Sequence, residues 1–558
     1  MDIQTLKRQI EVMNKNKICV WGTGNMANAF AYHRFTYIDD FIDNDSTQTG
    51  KRFYDKRVLH PSQVTNWNHL FIIIAALSKE KIAQQLQSYG LTYGHDFLNY
   101  DDLLEPMEAA VIEEQLARNI NSIRNRFVKE GSTIVFNDHA LNDKVENTYY
   151  REWIPKLKDE SFLFIHELGG KTKYSLDGVP ILELPEALVR NLYPGNTKSC
   201  VVKDEILRAV KQKSYMDEAA RHLRYKNKWL QPAGEYLIIF YFDKYIRSLF
   251  EMVRPKRVIV RTSFDAYHAM LIEICHELKI EVIHTEFGVL SGTIVFEKGG
   301  EMGESYPTLY SEKFAQLPIT REEYNIAGTV WSYLQISGLN RNKQDKNGFE
   351  EKIIGRINKE RPTVFYAGQA DWGSGIQPYT NRTRQYHSPV FSSSIQAAIY
   401  ISKLCEKNNW NYIYKPHPRM YYEEGENDLS PITIRGDGIG INYLIDSSDV
   451  VITILSQTAY IALLRKKPTV LLGYMQLKSK GCAYEAYSEN NIEKAIMSAI
   501  KDGFSKQQQE AFQKHVAQVL KYYVYDDGAE RKLRFGKEMP SSFAEIDDLP
   551  NILKNKEI

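Results

Sequence analysis

The sequence predicts an α/β protein made of several parallel-sheet units, and three observations carry that reading. Residues 17–30, "KICVWGTGNMANAF", run a short β-type segment into a glycine turn and then into a helical segment. Short apolar runs separated by helical stretches recur between residues 131 and 345. The same alternation returns more regularly between 350 and 540. Strand–helix alternation of this kind argues for parallel, doubly wound sheets.

The first unit covers residues 1–105. Ile18–Trp21 leads into Gly22-Thr23-Gly24-Asn25-Met26-Ala27, a G-x-G-x-x-A turn. Glycines in such a turn let the backbone approach a phosphate at a helix N-terminus. A second strand, "YIDDFIDND" (37–45), carries Asp43, 19 residues beyond Gly24. An acid at that distance is placed to bind a ribose hydroxyl pair. A third strand follows in "LFIIIAA" (70–76). Together these predict a Rossmann-like domain. A unit of this length holds at most half of a dinucleotide fold. Gly22, Gly24 and Asp43 therefore serve either a bound nucleotide or packing alone.

Residues 106–130, "PMEAAVIEEQLARNINSIRNRFVKE", are polar, helical in period and free of glycine, and predict a linking helix. The middle unit (131–345) has candidate strands at 132–136, 161–167, 257–262 and 281–286, with a helix at 265–279. Its most apolar stretch, "YLIIFYFDKYIRSLFEMV" (236–253), contains Asp243, Lys244 and Arg247, so a core helix is expected rather than a membrane span. The polar run "LNRNKQDKNGFEEK" marks a linker near 345. The last unit (350–540) has strands at 362–368, 411–415, 431–436, 449–455 and 468–473, with helices in "SSSIQAAIYISKLCEKN" and "TAYIALLRKK". Residues 541–558 form a C-terminal tail.

Composition narrows the function. A chain of 558 residues holds about three domains. It is 43% hydrophobic and 25% charged, with 71 Lys+Arg against 70 Asp+Glu. No bulk field favours nucleic acid, so an anionic partner has to be met by a local patch. The 36 tyrosines fit either a sugar-binding protein or a compositional habit. Cys19, Cys200, Cys275, Cys405 and Cys482 have no zinc spacing and are odd in number, which predicts reduced thiols in a cytoplasmic protein. The charged N-terminus has no apolar core of a signal peptide.

In open parallel sheets, ligands sit beyond the C-terminal ends of the strands. Each strand of the last unit delivers polar groups there. Gln369 and Asp371 follow the first, and Lys415, His417 and Arg419 close the second in "NYIYKPHPRM". Asp437 follows the third, and Ser456, Gln457 and Thr458 open a helix after the fourth. The prolines around His417 stiffen its backbone and hold the imidazole rigidly. The hydroxyls of Ser456 and Thr458, with the free N–H groups of a helix start, suit a phosphate. His417 can donate to a phosphoryl oxygen and stabilise charge on a leaving nucleotide. Each group also has a plain reading alone, such as Ser456 as a helix cap.

"YKPHP" followed by "DVVITILSQTAYIALLRKKPTVLLG" resembles the nucleotide-binding half of the capsule polysaccharide biosynthesis glycosyltransferases, including those that transfer 3-deoxy-manno-octulosonic acid (Kdo). "YAGQADWGSGIQPYTNRTRQYHSPVFSSS" is similar to their Gln-x-x-Asp segment with a downstream His-Ser. "HTEFGVLSGTIVFEKGGEMGES" is similar to their glutamate- and glycine-containing signature, with Phe287 where that family commonly has a polar residue. The resemblance spans about residues 250–475 in the family's order. It implies a GT-B pair of Rossmann-like domains, to which the small N-terminal Rossmann-like domain is added. It implies a nucleotide-sugar donor, with a CMP-linked acidic sugar such as Kdo favoured.

Glycosyl transfer also needs a carboxylate beside the acceptor. Glu286 ends a predicted strand and precedes Gly288, which would let a substrate approach; the resemblance points to the same acid. Asp265 in "RTSFDAYH" competes for the role, as base or as nucleophile. His268 and His284 flank these acids and read as structural. No Asp-x-Asp metal motif sits at a strand end, since "DNDS" (43–46) belongs to the first unit, so no obligatory metal is expected. "RHLRYKNKW" (221–229) is a basic stretch that either meets an anionic glycan or lipid acceptor at the inner membrane face or is simply solvated. The sequence thus predicts a cytoplasmic glycosyltransferase of surface polysaccharide synthesis, peripheral to the membrane at most, acting on a glycan or glycolipid. Two rivals stand beside it. One is a CDP-glycerol-type polyol-phosphate transferase, the other a non-catalytic nucleotide-sugar-binding scaffold. Donor identity, linkage and stereochemistry stay open.

Overall fold

The computed structural model describes residues 3–526, apart from 33, 77, 104–108, 125–128, 158, 190–201, 227–232, 338–352, 354, 419 and 421–424. The C-terminal tail, Cys200, Arg419 and the linker near 345 lie outside the described residues. The chain forms two compact units: Met1–Asn147 with Asp159–Val258 and Met270–Glu281, and Thr148–Lys158 with Ile259–Ala269 and Val282–Ile558. The class is α/β, as the strand–helix alternation requires.

The first unit opens with β1 (Lys17–Trp21), β2 (Asp40–Ile42), β3 (Arg52–Phe53), β4 (Lys56–Leu59), β5 (Leu70–Ile74) and β6 (Phe97–Asn99). They form one sheet in the order β3-β4-β2-β1-β5-β6, parallel except for the β3–β4 hairpin. The module is therefore larger than half a dinucleotide fold. β3, β4 and β6 escaped the sequence reading because each is two to four residues long, only partly buried and without an apolar run. β1 and β5 are buried along nearly their whole length, which their continuous Ile and Val content allows.

The same unit holds β7 (Thr133–Phe136), β8 (Phe162–His166) and β9 (Ile181–Glu183), paired in parallel in that order. The apolar stretch at 236–253 is a helix, Gly234–Val253, with twelve buried residues. Arg254 ends it in a left-handed conformation, φ 44°, and its N–H closes onto Phe250 O. The linking segment is helical over Ala109–Arg124. Two contacts tie these helices together: Lys244 reaches Glu113 at 3.0 Å, and the hydroxyl of Tyr245 reaches Asn119 at 2.6 Å.

β10 (Arg257–Val260) is followed by β11 (Glu281–Phe287) and β12 (Thr293–Glu297). In the second unit, β12 pairs antiparallel with β11, Glu286 facing Val295. Then come β13 (Thr363–Ala367), β14 (Asn411–Lys415), β15 (Thr433–Arg435), β16 (Val450–Thr453), β17 (Thr469–Leu471), β18 (Tyr484–Glu485) and β19 (Val524–Asp526). β13 to β18 form a sheet of order β15-β14-β13-β16-β17-β18, every pairing parallel. That is the doubly wound order 3-2-1-4-5-6, whose direction reverses between β13 and β16. β19 instead pairs antiparallel with β12.

Many tyrosines belong to the core of this sheet. Tyr366, Tyr412 and Tyr414 are fully buried, and Tyr366 stacks on Tyr414 with centroids 5.8 Å apart. Tyr412 donates to Ala398 O at 3.0 Å and Tyr366 to Ser394 O at 3.1 Å, so each phenol is satisfied. Their number needs no sugar-binding surface. Cys19, Cys275, Cys405 and Cys482 are free and buried, and burial pushes the thiols of Cys19 and Cys482 up to about 12.

Candidate functional site

The ends of β14 and β16 both meet the end of β13, the strand that borders the β13–β16 reversal. Gly368, just past β13, donates its N–H to Lys415 O at 2.8 Å. A Cβ there would lie 3.0 Å from Lys415 O and from Pro416 Cα, and 3.2 Å from His417 N. The glycine lets the rigid Pro-His-Pro segment lie directly against the end of β13. His417 is thereby placed, half-buried, beside the reversal point.

Gln369 and Asp371 hold this arrangement. Gln369 is buried; its Oε1 accepts the N–H of Leu455 at 3.2 Å, and its own N–H donates to Ser394 Oγ at 2.9 Å. It ties the end of β13 to the end of β16 across the reversal. Asp371 is 1% exposed, and both carboxylate oxygens accept the N–H of Ser394 at 3.0 Å. Ser394 begins the helix Ser394–Lys407, where a negative charge meets the free N–H groups and the positive end of the dipole.

The remaining groups divide. Ser456 Oγ lies 3.0 Å from Thr458 Oγ1 and accepts the N–H of Thr458 at 3.2 Å. Gln457 Nε2 donates to Gly288 O at 2.8 Å, which brings the loop after β11 to this turn. The following helix, Thr458–Leu464, has only seven residues, a weak dipole for a phosphate. Lys415 sends its ammonium to Ile439 O at 2.6 Å, toward the loop after β15. Asp437 is exposed and forms a two-point pair with Arg435 at 2.8 and 3.2 Å.

Glu286 has a partner that sequence reading missed. Arg261, one residue past β10, sets its Nη1 2.6 Å from Glu286 Oε2, while the N–H of Phe287 donates to Oε1 at 2.7 Å. The same guanidinium lies 4.7 Å from the centroid of the Phe287 ring. Arg261 therefore competes for the lone pairs a general base would use, and Phe287, the departure from the resembled family, is what it stacks on. Gly288 also answers a demand of the fold. A Cβ there would come 1.9 Å from Thr293 Oγ1, so the glycine is required by the β11–β12 turn itself. Asp265 accepts the N–H of Tyr267 at 3.2 Å, as a helix cap does. His284 is buried with its Nδ1 3.0 Å from Ser263 Oγ, and His268 is buried.

Two of the resembling segments interlock through an ion pair the sequence did not single out. Arg382 donates to Glu304 through Nε at 2.5 Å and Nη2 at 2.9 Å, and His387 Nε2 lies 3.8 Å from Glu304 Oε1. Burial would raise the Glu304 carboxyl, but the nearby His387 and the hydrogen bonds from Arg382 overcome it and hold the group at about 2. A Cβ on Gly303 would fall 1.5 Å from Tyr386 O, which explains the glycine in "EMGES". The Phe264 ring stands edge-on to His387, centroids 4.8 Å apart. An acid beside glycines was the available signal; its cationic partners lie about eighty residues away in sequence and could not be paired from it.

In the N-terminal module, Gly22 has φ +125°, and a Cβ would lie 2.5 Å from Ala75 O, so the crossing of β1 and β5 itself demands glycine. Gly24 has nothing within 4 Å of its missing Cβ. Asp43 accepts from Thr23 Oγ1 at 2.6 Å and from the N–H of Asp45 at 2.9 Å. In the basic stretch, Arg221 pairs with Asp217 at 3.3 Å and Arg224 pairs with Glu235, while Lys228 and Trp229 lie outside the described residues. Among the described residues no helix is long and apolar enough to cross a membrane.

No family model and no curated protein matches the chain. Among solved structures, it is similar to the beta Kdo 2,7 transferase KpsC of Thermosulfurimonas dismutans, at 15% identity over 56% of this chain and 89% of the other, TM-score 0.32. It is also similar to the UDP-GlcNAc 2-epimerase of Methanocaldococcus jannaschii, at 12% identity over 70% and 99%, TM-score 0.31. A third is the wall teichoic acid polymerase TagF, at 10% identity over 74% and 93%, TM-score 0.22. The functional reading that follows rests on the residues.

Proposed function

We propose that the chain is a GT-B glycosyltransferase of capsule or surface polysaccharide synthesis. Its donor is a nucleotide-activated sugar, with a CMP-linked acidic sugar such as Kdo favoured, and its acceptor is a glycan or glycolipid. The observation that carries the reading is the Pro-His-Pro segment seated against Gly368 at the end of β13, the strand that borders the reversal of a 3-2-1-4-5-6 parallel sheet. In the reaction the bond from the anomeric carbon to the donor phosphate breaks and its electron pair leaves with the phosphate. His417 donates a hydrogen bond to that oxygen, and the Ser456–Thr458 turn supplies hydroxyl donors beside it. The acceptor oxygen forms the new bond to the anomeric carbon, and its proton passes to the departing phosphate.

Gln369 and Asp371 shape this pocket by their buried hydrogen bonds, and Lys415 and Asp437 brace the neighbouring loop. Glu286 is the acid assigned to the acceptor side. Its contact with Arg261 suits an ionised carboxylate that steadies positive charge at the anomeric carbon or attacks it, and the same contact weighs against simple proton abstraction. Gly24 has nothing within 4 Å of its missing Cβ, unlike Gly22, and nucleotide binding in that module is a secondary feature separable from transfer.

Thermal unfolding with CMP, CDP, UDP, GDP and NAD tests the reading. A nucleotide at 100 times its dissociation constant stabilises by about 2.7 kcal/mol. CMP is expected to raise the midpoint most. A response confined to CDP would favour a polyol-phosphate transferase, and no response to any nucleotide would overturn the transferase reading.

A further inference from the structure

A second polar constellation lies in the first unit, at the ends of neighbouring parallel strands. Asp138 follows β7, and His166 is the last residue of β8. Both are buried, Asp138 to 3% exposure and His166 to 1%. His166 Nδ1 lies 2.8 Å from Asp138 Oδ1. The same carboxylate accepts the N–H of Glu167 at 2.9 Å and of Leu168 at 3.0 Å. Three donors from one strand end thus converge on one acid from the next, and they fix the orientation of the ring. With Nδ1–H committed to Asp138, Nε2 is the atom left to act. Among the described residues Nε2 is buried and has no hydrogen-bond partner.

A buried polar atom without a partner costs about 1–3 kcal/mol. Native chains rarely accept that cost without a ligand or a water to relieve it. The place matters too, because the C-terminal ends of parallel strands are where such sheets bind ligands. The surrounding charge narrows the ligand. The groups acting on His166 are Asp138, Glu183 (its neighbour across β9) and Glu167, all acidic. An anionic phosphate or carboxylate would be repelled there, whereas a neutral hydroxyl would not. Neither Asp138 nor His166 falls in the segments that carry the family resemblance.

We propose that the Asp138–His166 pair is a binding site for a hydroxyl group of a sugar or polyol, with His166 Nε2 the contact atom and Asp138 the residue that positions it. The identification of that hydroxyl as part of the acceptor rests on the transferase reading; the site itself does not. Burial would lower the imidazole's proton affinity, but the hydrogen bond to Asp138 and the acidic surroundings outweigh it and raise it above an ordinary histidine. A hydroxyl both donates and accepts, so it can pair with Nε2 in either protonation state of the ring.

The test uses the full chain with 15N-histidine. The imidazole signal of His166 is assigned by its loss in His166→Gln, and fold is checked by circular dichroism. Glycerol, galactose and N-acetylglucosamine are titrated while Nε2 is followed, and CMP and CDP binding is measured by calorimetry on the same sample. The expected result is a saturable Nε2 shift with at least one of the three probes, lost in Asp138→Asn, together with a fall in the ring's titration midpoint in that variant. Should His166→Gln fail to fold, Asp138→Asn still identifies the signal by that fall. An Nε2 signal unmoved by all three probes, reporting only solvent water, overturns the proposal even where a nucleotide binds. A saturable Nε2 shift without any nucleotide binding keeps the site and overturns the transferase reading instead.

Discussion

Two sheets of this protein share one strand order and differ in what they place at the reversal. In the N-terminal module the order β4-β2-β1-β5-β6 repeats the first five positions of β15-β14-β13-β16-β17-β18. At the first reversal, Gly22 is pressed against Ala75 O and Asp43 is engaged by Thr23 and Asp45. At the second, Gly368 makes room for a Pro-His-Pro segment and Gln369 ties β13 to β16. Strand order decides where a ligand can sit; what the local side chains already bind decides how much of the place is left for one. A glycine motif alone therefore separates the two sheets poorly, because glycine is needed for packing at one and for presenting a histidine at the other.

The comparison breaks most sharply at His417. His417→Ala should slow turnover of a nucleotide-sugar donor by about 10²-fold or more, the typical loss of one preorganised donor to developing charge. Circular dichroism should be unchanged, and initial rates near those of the parent would remove His417 from the reaction. Next in size is the acceptor side. Glu286→Gln should reduce transfer at least about 10²-fold while nucleotide affinity holds. Asp265→Asn, which keeps an equivalent cap, should leave transfer near the parent level, and Asp265→Ala should lower stability by about 1 kcal/mol. Transfer kinetics with parallel calorimetry separate these outcomes, and the reverse pattern would move the role to Asp265.

Glu304 supplies a purely structural contrast. Its carboxyl is held at about 2, against an ordinary value of 4.5. A depressed acid contributes stability that is complete above the unfolded value and is lost as pH falls through the folded one. That contribution is roughly 3 kcal/mol, and it should decline between about pH 5 and pH 2. Urea unfolding of Glu304→Gln should show a loss of similar size at pH 7 and a smaller one near pH 3. An equal loss at both would show that the charge is not the cause. The smallest effect belongs to the N-terminal turn: Gly24→Ala should leave the melting temperature within a few degrees, while Gly22→Ala, with Ala75 O in the way, should lower it clearly.

The sequence showed the strands that are long and apolar. β5, β7, β8, β11, β13 and β14 lie within two residues of the limits their composition suggests. It missed β3, β4, β6, β9, β18 and β19, which are two to four residues long and owe their existence to neighbours, and also β12, the exception, whose five residues are buried and mostly apolar. At the candidate site, prolines mark His417 in the sequence. It could not show that the Lys415 ammonium turns to Ile439 O, since strand alternation does not say where a long side chain ends. Arg261 and Arg382 were invisible for the same reason: an ion pair between distant segments leaves no local pattern. Asp138 and His166, on different strand ends, were missed likewise.

The central claim is that the donor nucleotide occupies the reversal of the second sheet rather than that of the first. Calorimetric titration of the full chain with the nucleotide that stabilises it most, repeated for Gly368→Val and Gly24→Val, tests it directly. A valine at 368 pushes the His417 segment off the end of β13 and should weaken binding at least tenfold, whereas a valine at 24 should leave this affinity unchanged. Loss of binding in Gly24→Val with full affinity in Gly368→Val would contradict the account and move the nucleotide to the N-terminal module.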